Sequence, residues 1–266
     1  MDSVNLKYYA GWNVRIIPKI DQLLMTLMKL TLNLPHDDLS IRFSCSTATV
    51  TNIIMTWIYA LHKVLFKNLM KTIPSRQRNQ ACLPIAFTNF RNCRIILDCT
   101  EIYSAVPASM ENQRLTYSSY KHRNTWKILV GVAPNGVITF ASKAFPGSTS
   151  DKKIIEESRV LDQMVAGDLI LADKGFLIKD LLPAGVSLNI PPFLTTAQLI
   201  ESQVYETQQI AKARIHVERA IRRIKCYNIL QQVPSYYISQ ISIIFQLCAT
   251  LTNFQYPPIK EVQEYF

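Results

Sequence analysis

The chain predicts a mixed α/β domain preceded by a small all-α one. Three observations carry that prediction. Two short apolar runs, Ile95–Leu97 and Leu169–Leu171, read as strands buried on both faces, and each is followed closely by an aspartate. Helix-spaced apolar residues fill the stretches before the first run and after the second. Between the runs, Ala133-Pro134-Asn135-Gly136 separates two further apolar segments, Trp126–Val132 and Val137–Ser142. An Asn-Gly turn so flanked is a hairpin signal.

Composition sets the outer bounds. At 266 residues and 48% hydrophobic content the chain can bury a full core and form one large domain or two smaller ones. That balance excludes a disordered chain. A net charge of +10 attracts polyanions without conferring sequence specificity. The six cysteines form no C-x-x-C pair, which suits reduced thiols in an intracellular protein and offers no structural zinc site. Met1–Trp12 lacks the apolar core of a signal peptide. The longest apolar segment, Ile238–Leu251, is broken by Gln240 and Gln246 and falls short of the about 20 residues that span a bilayer. It reads as a buried C-terminal helix, and no membrane association is expected.

At the N-terminal end, Ile20–Leu34 has helical spacing and is stopped by Pro35. Leu39 and Phe43 lie on one face of a short helix. Ser46 can cap a second, whose inner face carries Val50, Ile53 and Ile54. Two short helices with a tight polar turn between them follow the helix-turn-helix plan. Thr47, Thr49, Thr51 and Asn52 would then be exposed, with Thr49 and Asn52 able to reach phosphates or base edges. A helical pair that merely packs on its neighbour fits the same pattern, and the face has no arginine to read guanine. Trp57–Met70 forms a further amphipathic helix. The polar, basic stretch Ser75–Gln80 marks a boundary between a helical domain, residues 1–74, and a second domain, residues 84–256.

In the second domain, Arg114–Asn124 interleaves Tyr117 and Tyr120 with Lys121, His122 and Arg123. Such a loop suits stacking on bases and pairing with phosphates, and is equally an ordinary strand-edge loop. Ser150 or Asp151 caps a helix through Ser158. Asp173 follows the second strand, with Gly175 permitting a tight turn. Leu188–Phe193 is a short strand, and a long amphipathic helix runs from about Thr195 to Tyr227 on the stripe Ile210, Val217, Ile221 and Ile224. Arg214, Glu218 and Arg222 recur along it at four-residue spacing, with Lys225 close by. Taken alone they form an i,i+4 salt-bridge ladder, and Asp98 taken alone caps a turn.

Together these carboxylates point elsewhere. Asp98, Asp173 and Glu218 would repel one another if they converged, unless cations sat between them. Hard oxygen donors suit Mg²⁺ or Mn²⁺. Two such ions about 4 Å apart can activate a water or a 3′-hydroxyl and stabilise the leaving oxygen of a phosphodiester. A hairpin inserted between the two aspartates, with helices on both faces of the sheet, is the plan of the ribonuclease H-like fold. Arg214 and Lys225 would then lie near a scissile phosphate.

At Leu97-Asp98-Cys99-Thr100-Glu101-Ile102, Pro146-Gly147-Ser148-Thr149-Ser150-Asp151, Ala172-Asp173-Lys174-Gly175-Phe176 and His216-Val217-Glu218-Arg219-Ala220 the sequence resembles the DDE endonuclease domain of Harbinger-type transposases. The resemblance covers about Pro84–Asn253, and Leu39–Ile54 resembles the helix-turn-helix that precedes the domain in such proteins. It implies Asp98, Asp173 and Glu218 as a catalytic, metal-binding triad and Asp151 as a supporting or further metal residue. It also implies two Mg²⁺ or Mn²⁺ ions. Arg214 and Lys225 match the Arg and Lys of a helix signature in the wider group, whereas Ala211 stands where its Tyr should be. With Arg222, Lys121 and Arg123 they form the expected DNA-contacting set.

The expected activity is that of a nuclear DNA endonuclease and strand transferase acting on transposon ends and target DNA, with a possible homodimer. Met1 lies close to the helical domain and leaves no room for a zinc module, so a separate Myb-like DNA-binding partner is compatible with the resemblance. Two alternatives stay open. One is a domesticated relative that binds DNA or a partner without cutting. The other is a ribonuclease H-like nuclease for RNA or hybrids, which accounts poorly for the helix-turn-helix.

Overall fold

The structure, a computed structural model, describes residues 6–191 and 201–259. Its N-terminal part is helical. Helix α1 spans Lys19–Leu32 and ends where Asn33 turns left-handed (φ 54°) and returns its N–H to the Lys29 carbonyl. Helix α2 spans His36–Arg42 and α3 Thr47–Leu61, the latter capped as expected by the Ser46 hydroxyl accepting from the Thr49 N–H. The separate helix expected over Trp57–Met70 is instead a continuation of α3. A π turn at His62–Phe66 leads straight into a last turn, α4, Lys67–Leu69. No Gly or Pro interrupts this stretch, so nothing in its sequence ends the helix.

The face expected to be exposed on α3 is only partly so. Thr49 and Asn52 are both buried. The N-terminal strap crosses α3 at this point: the Asn52 side chain accepts from the Ala10 N–H (2.8 Å) and donates to the Trp12 carbonyl (3.0 Å). The Tyr9 N–H donates to the Thr56 hydroxyl (2.9 Å), and Thr49 meets the capping Ser46 hydroxyl at 2.9 Å. The polarity of these residues satisfies backbone groups that would otherwise be buried without partners.

The polar stretch after Pro74 forms a short helix, α5, Arg76–Gln80. The sheet follows. Strand β1 is Cys93–Tyr103; after α6 (Met110–Thr116) come β2 (Tyr117–Ser118), β3 (Arg123–Val132), β4 (Ile138–Ala141) and β5 (Phe145–Pro146). Helix α7 (Asp151–Ser158) precedes β6 (Leu169–Leu171) and β7 (Ser187–Asn189). Helix α8 (Glu201–Ile224) and helix α9 (Ile241–Gln255) complete the chain. The starts expected for the long helix, at Thr195, and the end expected for the last strand, at Phe193, lie outside the described residues.

The sheet is mixed. Its order is β2-β3-β1-β6-β7, with β4 and β5 also paired to β3. Strands β1 and β3 are antiparallel; β1, β6 and β7 are parallel to one another. The hairpin turns at Gly136, whose φ of 84° suits glycine and whose N–H returns to the Ala133 carbonyl. Alternation along β1 sends Ile96 and Ile102 to one face, with α8, α9 and the N-terminal helices, and Ile95 and Leu97 to the other, with Ile154 and Ile155 of α7. The segment Ile238–Leu251 is largely the buried helix expected, with a 3-10 turn at Ser235–Gln240 leading into α9. No helix among the described residues is long and apolar enough to cross a membrane.

Candidate active site

One feature of the sheet makes the site. Strand β1 does not end at Asp98 as the apolar run suggests; it continues to Tyr103, because residues from Ile96 to Tyr103 keep pairing with β3. Its other neighbour, β6, stops at Leu171, opposite Ile96. Beyond that register no strand among the described residues pairs with β1 on the β6 side until the Val233 N–H meets the Tyr103 carbonyl, and a cleft of about 580 Å³ opens between. Asp173, two residues past β6, turns into it.

The cleft is lined by Asp98, Asp173 and Glu218, joined by Asp151, Arg214, Lys121 and Lys225. By the alternation of β1, Asp98 shares the face of Ile96 and so meets α8, whereas Cys99 shares the face of Leu97 and meets Asp151 at the start of α7. On α8, Arg214 and Glu218 are one turn apart, which aims both at the same spot. Asp151 begins a helix whose cap is the neighbouring Ser150, so its own side chain is left for other partners.

Charge is distributed in a definite way. The Arg214 guanidinium pairs with Asp173 at 3.1 Å and reaches Glu218 at 3.9 Å. It is largely buried, and its Nε has no hydrogen-bond partner among the described residues. Burial pushes the Asp98 carboxyl up to about 6; Arg214 opposes that rise, and the Asp173 and Glu218 charges add to it. Asp173 also accepts from the Lys174 N–H at 2.7 Å. Asp151 pairs with Lys127 at 3.3 Å, and that lysine also donates to the Thr149 carbonyl at 3.0 Å. Burial, then the Lys121 charge, lowers the Lys225 ammonium.

The donor chemistry suits a hard divalent cation. Every anionic group is a carboxylate, and Asp98 is held among like charges where positive charge relieves its burial. In this conformation, however, Arg214 supplies that positive charge. Among the described residues no three His, Cys, Asp or Glu side chains form a group that could hold a metal ion.

Other expected residues lie apart from the cleft. Arg222 is exposed further along α8, and Arg123 lies over the Tyr103 ring at 5.2 Å. Thr49 and Asn52 belong to the N-terminal helices and serve the contacts described above. Lys127 went unremarked in the sequence, though a lysine between Trp126 and Ile128 in an otherwise apolar strand is the signal that could have found it.

Two family models match. One, described as a DDE superfamily endonuclease, covers residues 97–253; the other, the helix-turn-helix of DDE superfamily endonucleases, covers residues 15–67. The comparison with curated proteins gives no match. The match over residues 97–253 includes all five cleft carboxylates, Asp98, Glu101, Asp151, Asp173 and Glu218, and spans more than half of the chain, which therefore belongs to the DDE superfamily of transposase-like endonucleases, with that superfamily's helix-turn-helix ahead of the endonuclease domain.

Proposed function

We propose that this chain is a Harbinger-type transposase, a nuclear DNA endonuclease and strand transferase with a helix-turn-helix domain at 1–74 and a ribonuclease H-like catalytic domain at 84–256. The observation that supports this most is the convergence of Asp98 on β1, Asp173 just past β6 and Glu218 on a distant helix on one cleft beside cationic side chains. Asp98 and Asp173 would hold Mg²⁺ or Mn²⁺, with Glu218 and Asp151 completing the set. Bound there, two such ions would supply Lewis-acid stabilisation of the phosphodiester and activate a water or a 3′-hydroxyl.

The chain's own residues have separate tasks. Arg214 pairs with Asp173 and reaches Glu218, and so offsets the repulsion within the carboxylate cluster. Once released from them, its guanidinium can pair with the equatorial oxygens of the phosphate. Lys127 holds Asp151 in orientation through Thr149. Lys121 and Lys225 draw the DNA backbone to the cleft, with Arg123 and Arg222 extending the basic track. Thr49 and Asn52 remain part of the helix-turn-helix reading only as the frame that shapes it. A Myb-like partner and a homodimer fit the same scheme.

A second reading is favoured by one observation: Arg214 already fills the charge requirement of the carboxylates, as it would in a domesticated relative that binds DNA or a partner without cutting. Calorimetry with Mn²⁺ separates the two. Heat of binding that disappears in Asp173→Asn supports the nuclease; a well-folded protein that binds no ion at millimolar concentration overturns it. The Harbinger assignment is tested at the gene: terminal inverted repeats and a short target-site duplication are expected on its flanks.

A further inference from the structure

Above the carboxylates, the wall of the cleft is made of Tyr120, Lys121 and Lys225. Tyr120 and Lys121 sit in the four-residue turn between β2 and β3, whose ends are paired at Ser118 and Arg123. The turn is fixed from within: the Lys121 N–H donates to the Ser118 hydroxyl (3.2 Å), and His122 adopts a left-handed φ of 53°. The Lys121 ammonium lies 4.2 Å from the Tyr120 ring centroid, on one face of the ring. Tyr120 is nevertheless 78% exposed, a large aromatic held in water by this turn. Lys225 comes from the other side, just past the end of α8, and its charge is close enough to that of Lys121 for the two to disfavour each other. Among the described residues neither ammonium has a carboxylate within ion-pair distance, although both are half-buried.

The Glu101 and Asp98 charges favour the Lys225 ammonium from a distance, but two neighbouring cations with no direct carboxylate contact among the described residues still form a place for an anion. An exposed aromatic residue beside them forms a place for a planar base. A base inside a duplex cannot offer its face, because its neighbours in the stack cover both sides. We propose that Tyr120, Lys121 and Lys225 form a subsite for an unpaired nucleotide next to the scissile phosphate, the base stacked on Tyr120 and its phosphate between the two lysines. This rests on the DNA-cleaving reading and adds to it a preference for DNA frayed or single-stranded at the cut. The pre-set turn reduces the ordering cost of that contact.

The test uses the full chain in EDTA, where no cleavage occurs. Two labelled DNAs are compared, a blunt duplex and the same duplex with three unpaired nucleotides at one end carrying 2-aminopurine. The wild type is expected to bind the second more tightly and to quench the 2-aminopurine. Tyr120→Ala should lose the quenching and about 5- to 100-fold of the affinity for the unpaired end, with little change for the blunt one. Tyr120→Phe should restore both, which separates stacking from loss of structure. Lys121→Gln with Lys225→Gln should flatten the salt dependence of binding to the unpaired end. Equal binding of both DNAs by the wild type, or a Tyr120→Ala protein that still quenches, overturns the subsite and leaves the endonuclease reading standing. Failure to bind either DNA overturns both.

Discussion

Replacing Asp168 by Ala should cost this protein more stability than any change among its cleft carboxylates. Asp168 immediately precedes β6 and is 1% exposed. It accepts from Arg94, near the start of the parallel neighbour β1, and from the Val165 N–H at 2.9 Å, with Arg76 at 3.7 Å. Arg94 in turn donates to the carbonyls of Ile73 and Pro74, which join the N-terminal helices to the sheet. Removing the carboxylate leaves a buried guanidinium without its anion, a change that typically costs roughly 3–5 kcal/mol. For a chain of this size that lowers the melting temperature on the order of 10 °C. The consequence reaches the site, because Asp98 lies further along β1 and Asp173 follows the far end of β6. Urea denaturation of Asp168→Ala, Arg94→Met and the double variant gives the coupling directly. The double variant should cost clearly less than the sum of the singles. Additive effects, or a loss below about 1 kcal/mol for Asp168→Ala, would refute this account of the pair.

Three further outcomes follow from the same geometry. Asn52→Ala should lower stability by about 1–3 kcal/mol by stranding the Ala10 N–H and the Trp12 carbonyl, and should leave the DNA affinity of the folded protein unchanged; a selective loss of DNA affinity by fluorescence anisotropy would contradict that. Gly147→Ala would bring a Cβ onto the Thr125 hydroxyl and within 2.6 Å of the Thr116 carbonyl, so a loss of about 1–3 kcal/mol is expected in urea, and a neutral result would be incompatible with the packing. Burial lowers Lys29 from 10.5 to about 8, so between those pH values the unfolded chain binds more protons and stability rises with pH. Relative to Lys29→Met, the wild type should gain up to about 3 kcal/mol over that window, less whatever the Leu34 carbonyl returns to the cation; parallel pH curves for the two proteins would show the lysine is not buried.

The elements with strong local signals were legible from sequence. The Asn-Gly hairpin, the Ser46 and Ser150 caps and the apolar cores of β1 and β6 all depend on residues a few positions apart, which is the range that periodicity and turn chemistry describe. Asp98 and Asp173 could be singled out for the same reason: each follows an apolar run closely. What was not legible depends on distant partners. The extension of β1 through Thr100 and Glu101 comes from pairing with β3, and the cleft exists because β6 is shorter than β1. Arg94 and Asp168 are 74 positions apart in sequence, and neither one's local sequence announces the other. Asn52 reads as an exposed recognition residue because nothing local announces that residues 8–12 cover it. Arg214 matched a signature as a DNA contact, and its contacts with Asp173 and Glu218 appear only in three dimensions.

The most direct measurement is Mg²⁺-dependent cleavage of duplex DNA carrying the ends of the chain's own element, by the wild type and by Asp98→Asn and Glu218→Gln in parallel. Cleavage by the wild type, abolished in both variants while their melting curves remain cooperative, is the predicted result. Cleavage that survives either substitution would contradict the assignment of the cleft carboxylates.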